Sequence, residues 1–288
     1  MKKIILIAVI CLAGIGLFSY PYLSNYLAEK NASYVIRDYT EKMQTTDQSA
    51  VEAAKKEAIK YNENLSGNPV HDPFVPGSGM VMQDNYYDVL SLYDSMGYID
   101  IPKIGVQIPI YHGTSENVLQ KGIGHLEGSS LPIGGRGTHS ILTGHTGLVH
   151  AKLFTDLTML EKGDKFFIYV LDEIIAYEVD DIRVVDPKET QGLKRIKEQD
   201  YCTLITCTPY GINSHRLLVR GTRIEYTPEV LEQEAAEYGG MSEEEKMLLI
   251  AGGTALVIMI LVILFVAKKK PKNKEQEKTD AIDDKTKE

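Results

Sequence analysis

The chain is short of cysteine, of positive charge and of repetition. Three cysteines in 288 residues are too few for a disulfide framework, and they lack the clustered spacing of a structural zinc site. No set of His, Cys, Asp and Glu shows metal-ligand spacing, so neither a metal nor an organic cofactor is expected. Lys and Arg number 31 against 40 Asp and Glu, a formal net charge of -9. Nucleic-acid binding asks for a basic footprint, so that class is set aside. No internal repeat is found.

What is present is unevenly spread. With 43% hydrophobic and 25% charged residues the chain has a globular composition rather than a disordered one. Its two ends nevertheless differ from its middle. Residues 4–18 are apolar or small, carry no charge, and follow Lys2 and Lys3. With Ser19 and Tyr20 they span roughly 25 Å as a helix, a little short of a bilayer core. No A-x-A cleavage site follows, so residues 1–20 read as a signal anchor in preference to a cleaved signal peptide. Residues 247–267 are again apolar or small and reach ~31 Å as a helix, a full crossing. Lys268, Lys269 and Lys270 come next, then a charged tail over 268–288. Lysines flank the outer end of each segment, so the positive-inside rule predicts cytoplasmic termini and an extracellular middle.

Within that middle, Leu23, Leu27, Tyr34, Val35 and Tyr39 recur at roughly helical spacing, and a second helix is predicted over 47–64 with Asp47 as N-cap. The helical region, 21–81, closes with a loop over 66–81 that carries His71, Asp72, Pro73 and Phe74 among prolines and glycines. A short helix is expected over 86–92. Beyond Gly97, short apolar runs alternate with Gly, Pro and Asp. They predict strands at 97–102, 105–111, 138–143, 164–171, 173–185, 201–207 and 215–226, with a hairpin at Leu171 and Asp172. Helical turns are expected at 115–121 and 151–159. The fold class is mainly β: seven or eight strands closing a barrel over residues 82–230, with N-terminal helices. Residues 231–246 read as a juxtamembrane linker.

Cys11 lies in the first apolar segment. Cys202 and Cys207 share one strand, where their Cα atoms would lie ~16 Å apart on opposite faces. A disulfide needs ~4.4–6.8 Å, so both thiols are expected free. Cys202 sits mid-strand and reads as a core residue. Cys207 ends its strand before Thr208, Pro209, Tyr210 and Gly211, where a nucleophile can be reached. A thiol nucleophile needs a proton partner and an oxyanion donor. Of seven histidines, His71 lies in the loop, and His112, His125 and His150 sit among turn residues where water can solvate them. His139 is in a predicted strand. His145 lies just past that strand between Gly144 and Gly147, where the backbone can turn sharply. Arg216 starts the strand that returns from Cys207; Arg220 is ~13 Å further along and Arg223 has the opposite parity.

Three stretches together resemble the sortases, cysteine transpeptidases of Gram-positive cell surfaces. They are Thr143-Gly144-His145, then Thr203-Leu204-Ile205-Thr206-Cys207 with its Thr-Pro-Tyr-Gly extension, then Asn213-Ser214-His215-Arg216. The resemblance covers roughly residues 86–226. It implies an eight-stranded barrel, with Cys207 as nucleophile, His145 as acid/base partner and Arg216 as oxyanion stabiliser. The implied substrate is a Leu-Pro-x-Thr-Gly (LPxTG) sorting signal, cleaved between Thr and Gly through a thioester. The C-terminal apolar segment and Asp72-Pro73-Phe74 resemble the pilus-associated class C. In that class a lid sets its Asp against the catalytic Arg and an aromatic over the Cys. The acyl acceptor would then be a lysine amine of another pilin. Anchoring to a cell-wall peptide amine, papain-like hydrolysis and a non-catalytic membrane-anchored binding domain are the competing readings.

Overall fold

The computed structural model describes residues 2–65, 72–74, 83–238 and 252–253. The chain divides into two units, 1–239 and 240–288. In the second, only Gly252 and Gly253 are described, both helical. The expected span over 247–267 (those glycines apart), the tail, His71 and all of the 66–81 loop except 72–74 lie outside the described residues. Among the described residues no helix is long and apolar enough to cross a membrane.

Eight strands build the barrel: β1 (Gly97–Ile101), β2 (Val106–His112), β3 (Ile123–His125), β4 (Thr138–Thr143), β5 (Lys165–Val170), β6 (Glu173–Val185), β7 (Asp200–Thr208) and β8 (His215–Ile224). Around the wall they run β1-β2-β3-β4-β7-β8-β6-β5, and β5 pairs back onto β1, Gly97 opposite Val170. Closure leaves no exposed edge. The β2–β3 and β4–β7 pairs are parallel and the rest antiparallel. Alternate residues point inward, so Ile99, Ile110, Phe166, Tyr177, Cys202, Leu204 and Val219 form the core.

The predicted strands match within about two residues, because β-branched and aromatic runs bounded by turn residues fix them locally. β3 was not among them. It is three residues long with Gly124 at its centre, so it carries no alternation to read. Residues 84–90 form turns rather than the expected short helix. Leu90 sits at φ 58°, a left-handed conformation that a helix interior does not accept.

Two helices precede the barrel. α1 (Lys2–Thr45) runs unbroken through Pro21, joining the apolar N-terminal segment to the helix predicted from Leu23 onward. α2 (Gln48–Asn64) starts as expected at Asp47, whose Oδ1 accepts the Ser49 N–H at 2.7 Å. It buries Val51, Ala54, Ala58 and Tyr61 at helical spacing. Asn62 then grips the Leu131 backbone through both its amide atoms, at 2.7 and 3.3 Å. A short α3 (Glu116–Leu119) lies between β2 and β3. After β8, α4 (Pro228–Tyr238) packs on the 3-10 turn Pro102–Ile104 and pairs Glu234 with Lys165 at 2.6 Å. Residues 231–238 of the expected linker therefore belong to a helix docked on the barrel.

Candidate active site

Side-chain parity on β7 separates the two thiols. Cys202 faces the core and is fully buried, while Cys207, an odd number of steps later, lies on the other face, 9% exposed. Both are free. On one flank, β7 pairs with β8 so that Cys207 lies opposite Arg216. On the other, β4 pairs in parallel with β7, ending at Thr143 opposite Ile205. Gly144 prolongs that contact: its N–H donates to Ile205 O at 3.1 Å, and its carbonyl accepts from Thr206 Oγ1 at 2.7 Å. One step further along, His145 comes level with Cys207. His145 just beyond the end of β4, Cys207 on β7 and Arg216 on β8 thus meet at one end of the barrel by continuation of this register, although 71 positions separate the first from the last.

The glycines beside His145 act differently from each other. Gly147 adopts φ +75°, the turn-forming role expected of it. Gly144 is required for space instead, since a Cβ there would lie 2.6 Å from Ile123 Cδ1 and 2.8 Å from Phe154. The Phe154 N–H donates to His145 O at 3.1 Å and fixes the backbone at the turn.

Residues 72–74 lie across this end. The Asp72 carboxylate takes both arms of the Arg216 guanidinium, Oδ1 from Nε at 2.8 Å and Oδ2 from Nη2 at 2.6 Å. Both partners are more than nine-tenths buried, which makes this a bidentate pair with little solvent screening. Arg216 Nη1 also donates to the carbonyls of Asn213 and His215, at 3.1 and 3.0 Å. Asp72 Oδ1 accepts the Phe74 N–H at 3.2 Å, a turn that presents the ring beyond Pro73. That ring lies 5.6 Å from the His145 ring and 5.0 Å from the Arg216 guanidinium carbon. It therefore reaches both neighbours of Cys207. It also packs on the small apolar cluster of Leu126, Ile141, Leu193, Ile205 and Leu218.

Electrostatics follow from this cover. Burial pushes the Cys207 thiol above its ordinary pKa; Arg216 opposes the shift and Asp72 adds to it. Burial pushes the His145 imidazole down, against the pull of Glu116. Glu116 Oε2 lies 3.6 Å from His145 Nε2, within ion-pair range but beyond a hydrogen bond. That nitrogen is buried and has no hydrogen-bond partner among the described residues. With the segment seated, both directions favour the uncharged thiol and imidazole. Glu116 was not anticipated from the sequence, where nothing distinguishes it from other surface acids.

Three of the remaining histidines are held by the fold. His125 is not solvated as expected but fully buried in β3. Its Nδ1 meets Tyr86 Oη at 2.9 Å and its Nε2 donates to Ser130 O at 2.8 Å. Burial lowers its pKa to about 4. His112 is half-buried and donates to Val89 O at 2.7 Å. His139 sits between Thr203 Oγ1 at 2.7 Å and Lys194 O at 3.1 Å, with burial lowering it to about 4. Arg220 is committed elsewhere, bidentate to Asp180 at 2.9 and 2.8 Å and stacked over Tyr201.

Known proteins are similar to this chain in sequence and fold. The family described as the sortase domain matches residues 99–224. Sortase D of Bacillus subtilis is 30% identical over 131 residues, 44% of this chain and 63% of the relative. Sortase A of Bacillus anthracis is 29% identical over 126 residues, covering 44% and 58%. The chain thus spans about six-tenths of the length of these two curated relatives. Solved structures are matched over nearly their whole length. Sortase C of Streptococcus pneumoniae is 44% identical, with 67% of this chain and 98% of that one covered at a TM-score of 0.63. Sortase C1 of Streptococcus agalactiae is 41% identical, covering 69% and 98% at 0.64. Sortase C-1 of Actinomyces oris is 46% identical, covering 61% and 99% at 0.59. The chain belongs to the sortase family, and these class C sortases are its structural neighbours.

Proposed function

We propose that the chain is a cysteine transpeptidase that cleaves LPxTG-type sorting signals and joins the released pilin to a lysine amine of another pilin. The observation that carries this reading is the meeting of His145, Cys207 and Arg216 beneath Asp72 and Phe74. The class C neighbours support the pilin substrate: one is described as a pilus-related sortase C, another with pilin substrate specificity.

Each residue has a chemical role in that reaction. When Asp72 releases Arg216 and Phe74 leaves, water returns to the thiol and the imidazole. Arg216 then stabilises the thiolate, and His145 holds the proton. The Cys207 Sγ attacks the Thr carbonyl carbon of the signal, and the oxyanion meets the Arg216 guanidinium. His145 gives its proton to the departing Gly amine, leaving a thioester on Cys207. A lysine amine of the next pilin adds to that carbonyl and yields its proton to His145. The thiolate is expelled as an isopeptide bond forms.

Residues 4–18 behind Lys2 and Lys3, and 247–267 ahead of Lys268, support a membrane-anchored enzyme with its barrel outside and both termini inside. The test uses the full chain with an LPxTG-bearing pilin domain, as native protein and with Asp72 and Phe74 replaced by Ala. Intact mass reads a thioester at Cys207, and gels read pilin ladders. Ladders and thioester, both lost in Cys207→Ala, are expected. A thioester passed only to water or to a cell-wall peptide would replace polymerisation by hydrolysis or anchoring. No thioester with the lid opened would leave the binding-domain reading.

A further inference from the structure

We infer that α1 holds the His145 loop against the lipid surface, so that the active-site end of the barrel faces the membrane. This rests on the membrane anchoring proposed above. α1 passes without a break from the apolar residues 4–18 to the barrel. Directly after that segment come Tyr20, Tyr22, Leu23, Tyr26 and Leu27, all largely exposed. Tyrosines gather where a membrane meets water, with the ring in the headgroup layer and the hydroxyl wet. Tyr20 and Tyr26 lie ~9 Å apart along the axis, close to the depth of one interfacial layer.

The barrel is tied to α1 at this same level. Ser24 Oγ lies 3.1 Å from Val149 O, sharing its proton with Pro21 O of its own helix. The Lys152 N–H donates to Asn25 Oδ1 at 2.7 Å. Ala28, one turn on, packs against the main core. Ser24 and Asn25 fall inside the tyrosine belt in sequence, so the loop they hold shares its depth. That loop follows β4 and begins at Gly144 and His145; Val149, 58% exposed, stands at its outer side. An exposed valine thus stands on the loop that Ser24 holds, at the level of the exposed tyrosines and leucines of α1, and α1 leads into the apolar segment proposed as the anchor. The occupant that fits is the lipid surface. Access to Cys207 then runs along the membrane plane, and a sorting signal reaches the site while its own chain is still close to the bilayer.

The chain contains no tryptophan, so one introduced Trp is a clean reporter. Three full-length variants are reconstituted in phosphatidylglycerol–phosphatidylcholine vesicles, with and without bromine on the acyl chains. They are Val149→Trp, Tyr22→Trp in the belt, and Arg136→Trp, an exposed position just before β4 at its other end. The expected result is that bromolipid quenches Tyr22→Trp and Val149→Trp, while Arg136→Trp keeps its emission. Quenching of Tyr22→Trp alone would overturn the docking and leave the anchor intact. No quenching of Tyr22→Trp would sink the anchoring reading itself, and the docking with it. Quenching of all three would mean a barrel lying on its side, which also refutes the proposed orientation.

Discussion

Replacing Asp72 by Asn keeps the side chain's shape and removes its charge, and the thiol should register the change. At present Cys207 faces a guanidinium whose charge is largely cancelled by the bidentate carboxylate. Cys207 and Arg216 are directly opposite across β7 and β8, which sets their Cβ atoms about 4.5–5.5 Å apart, and a separation of that order is taken for the charges. Asp72 is 7% and Arg216 8% exposed, so an effective dielectric near 20 suits the pair better than that of water. One uncancelled unit charge at that range is then worth up to ~3 kcal/mol to a thiolate. Incomplete cancellation today and water entry in the variant reduce this to about 1–3 kcal/mol, or roughly one to two pKa units downward. At neutral pH the thiolate fraction rises ~10- to 100-fold. A less basic thiolate is a weaker nucleophile, which returns about half of that on a logarithmic scale, so alkylation should accelerate ~3- to 10-fold. The assay is the second-order rate of iodoacetamide modification of the full chain, followed by intact mass from about pH 5 to 10, with Cys207→Ala as blank. The midpoint reports charge and the plateau reports access, so the two effects separate. A midpoint that stays put or climbs while the plateau rises would refute the electrostatic argument and make Asp72 a steric latch.

Other consequences can be measured as simply. Glu116→Gln removes the charge that resists the downward shift of His145. The maximum of kcat/KM should drop by up to about fivefold, an exposed pair's worth, and the acidic limb of its pH profile should move lower. An unmoved acidic limb would dismiss Glu116 as a partner. His125 and His139 are neutral in the fold, with pKa values lowered to about 4 from 6.5. Their contribution is whole above about pH 6.5 and is lost as pH falls toward 4, because the unfolded chain takes up protons first. The urea midpoint should fall between pH 7 and 5, steepening toward ~1.4 kcal/mol per pH unit per group, and less so in His139→Gln. A flat profile would contradict burial of uncharged rings.

The sequence reading succeeds where information is local. Strands β4, β6 and β7 announce themselves through β-branched runs, and Asp47 caps α2 because an N-cap needs only its next two residues. Parity along β7 also suffices to separate Cys202 from Cys207. The reading falters where a neighbour from afar decides. His125, between Gly124 and Leu126, carries no local sign that Tyr86 and Ser130 will enclose it. Glu116 meets His145 only because β3 inserts between β2 and β4. The approach of Asp72 to Arg216, 144 positions away, is invisible to spacing and became readable only through the resemblance of Asp72-Pro73-Phe74 to a known lid.

The parallel pairing of β4 with β7 has a consequence for how the protein comes into being. Fifty-six residues separate the end of β4 from the start of β7, and β5 and β6 form their own hairpin inside that interval. Closing such a loop is entropically slow, so the β5–β6 hairpin should form first and the β4–β7 contact late. Until it forms, Cys207 has no histidine beside it and carries an ordinary solvated thiol. The reactive centre is then among the last things the chain acquires, and a half-folded molecule lacks the proton partner that acyl transfer to another protein requires.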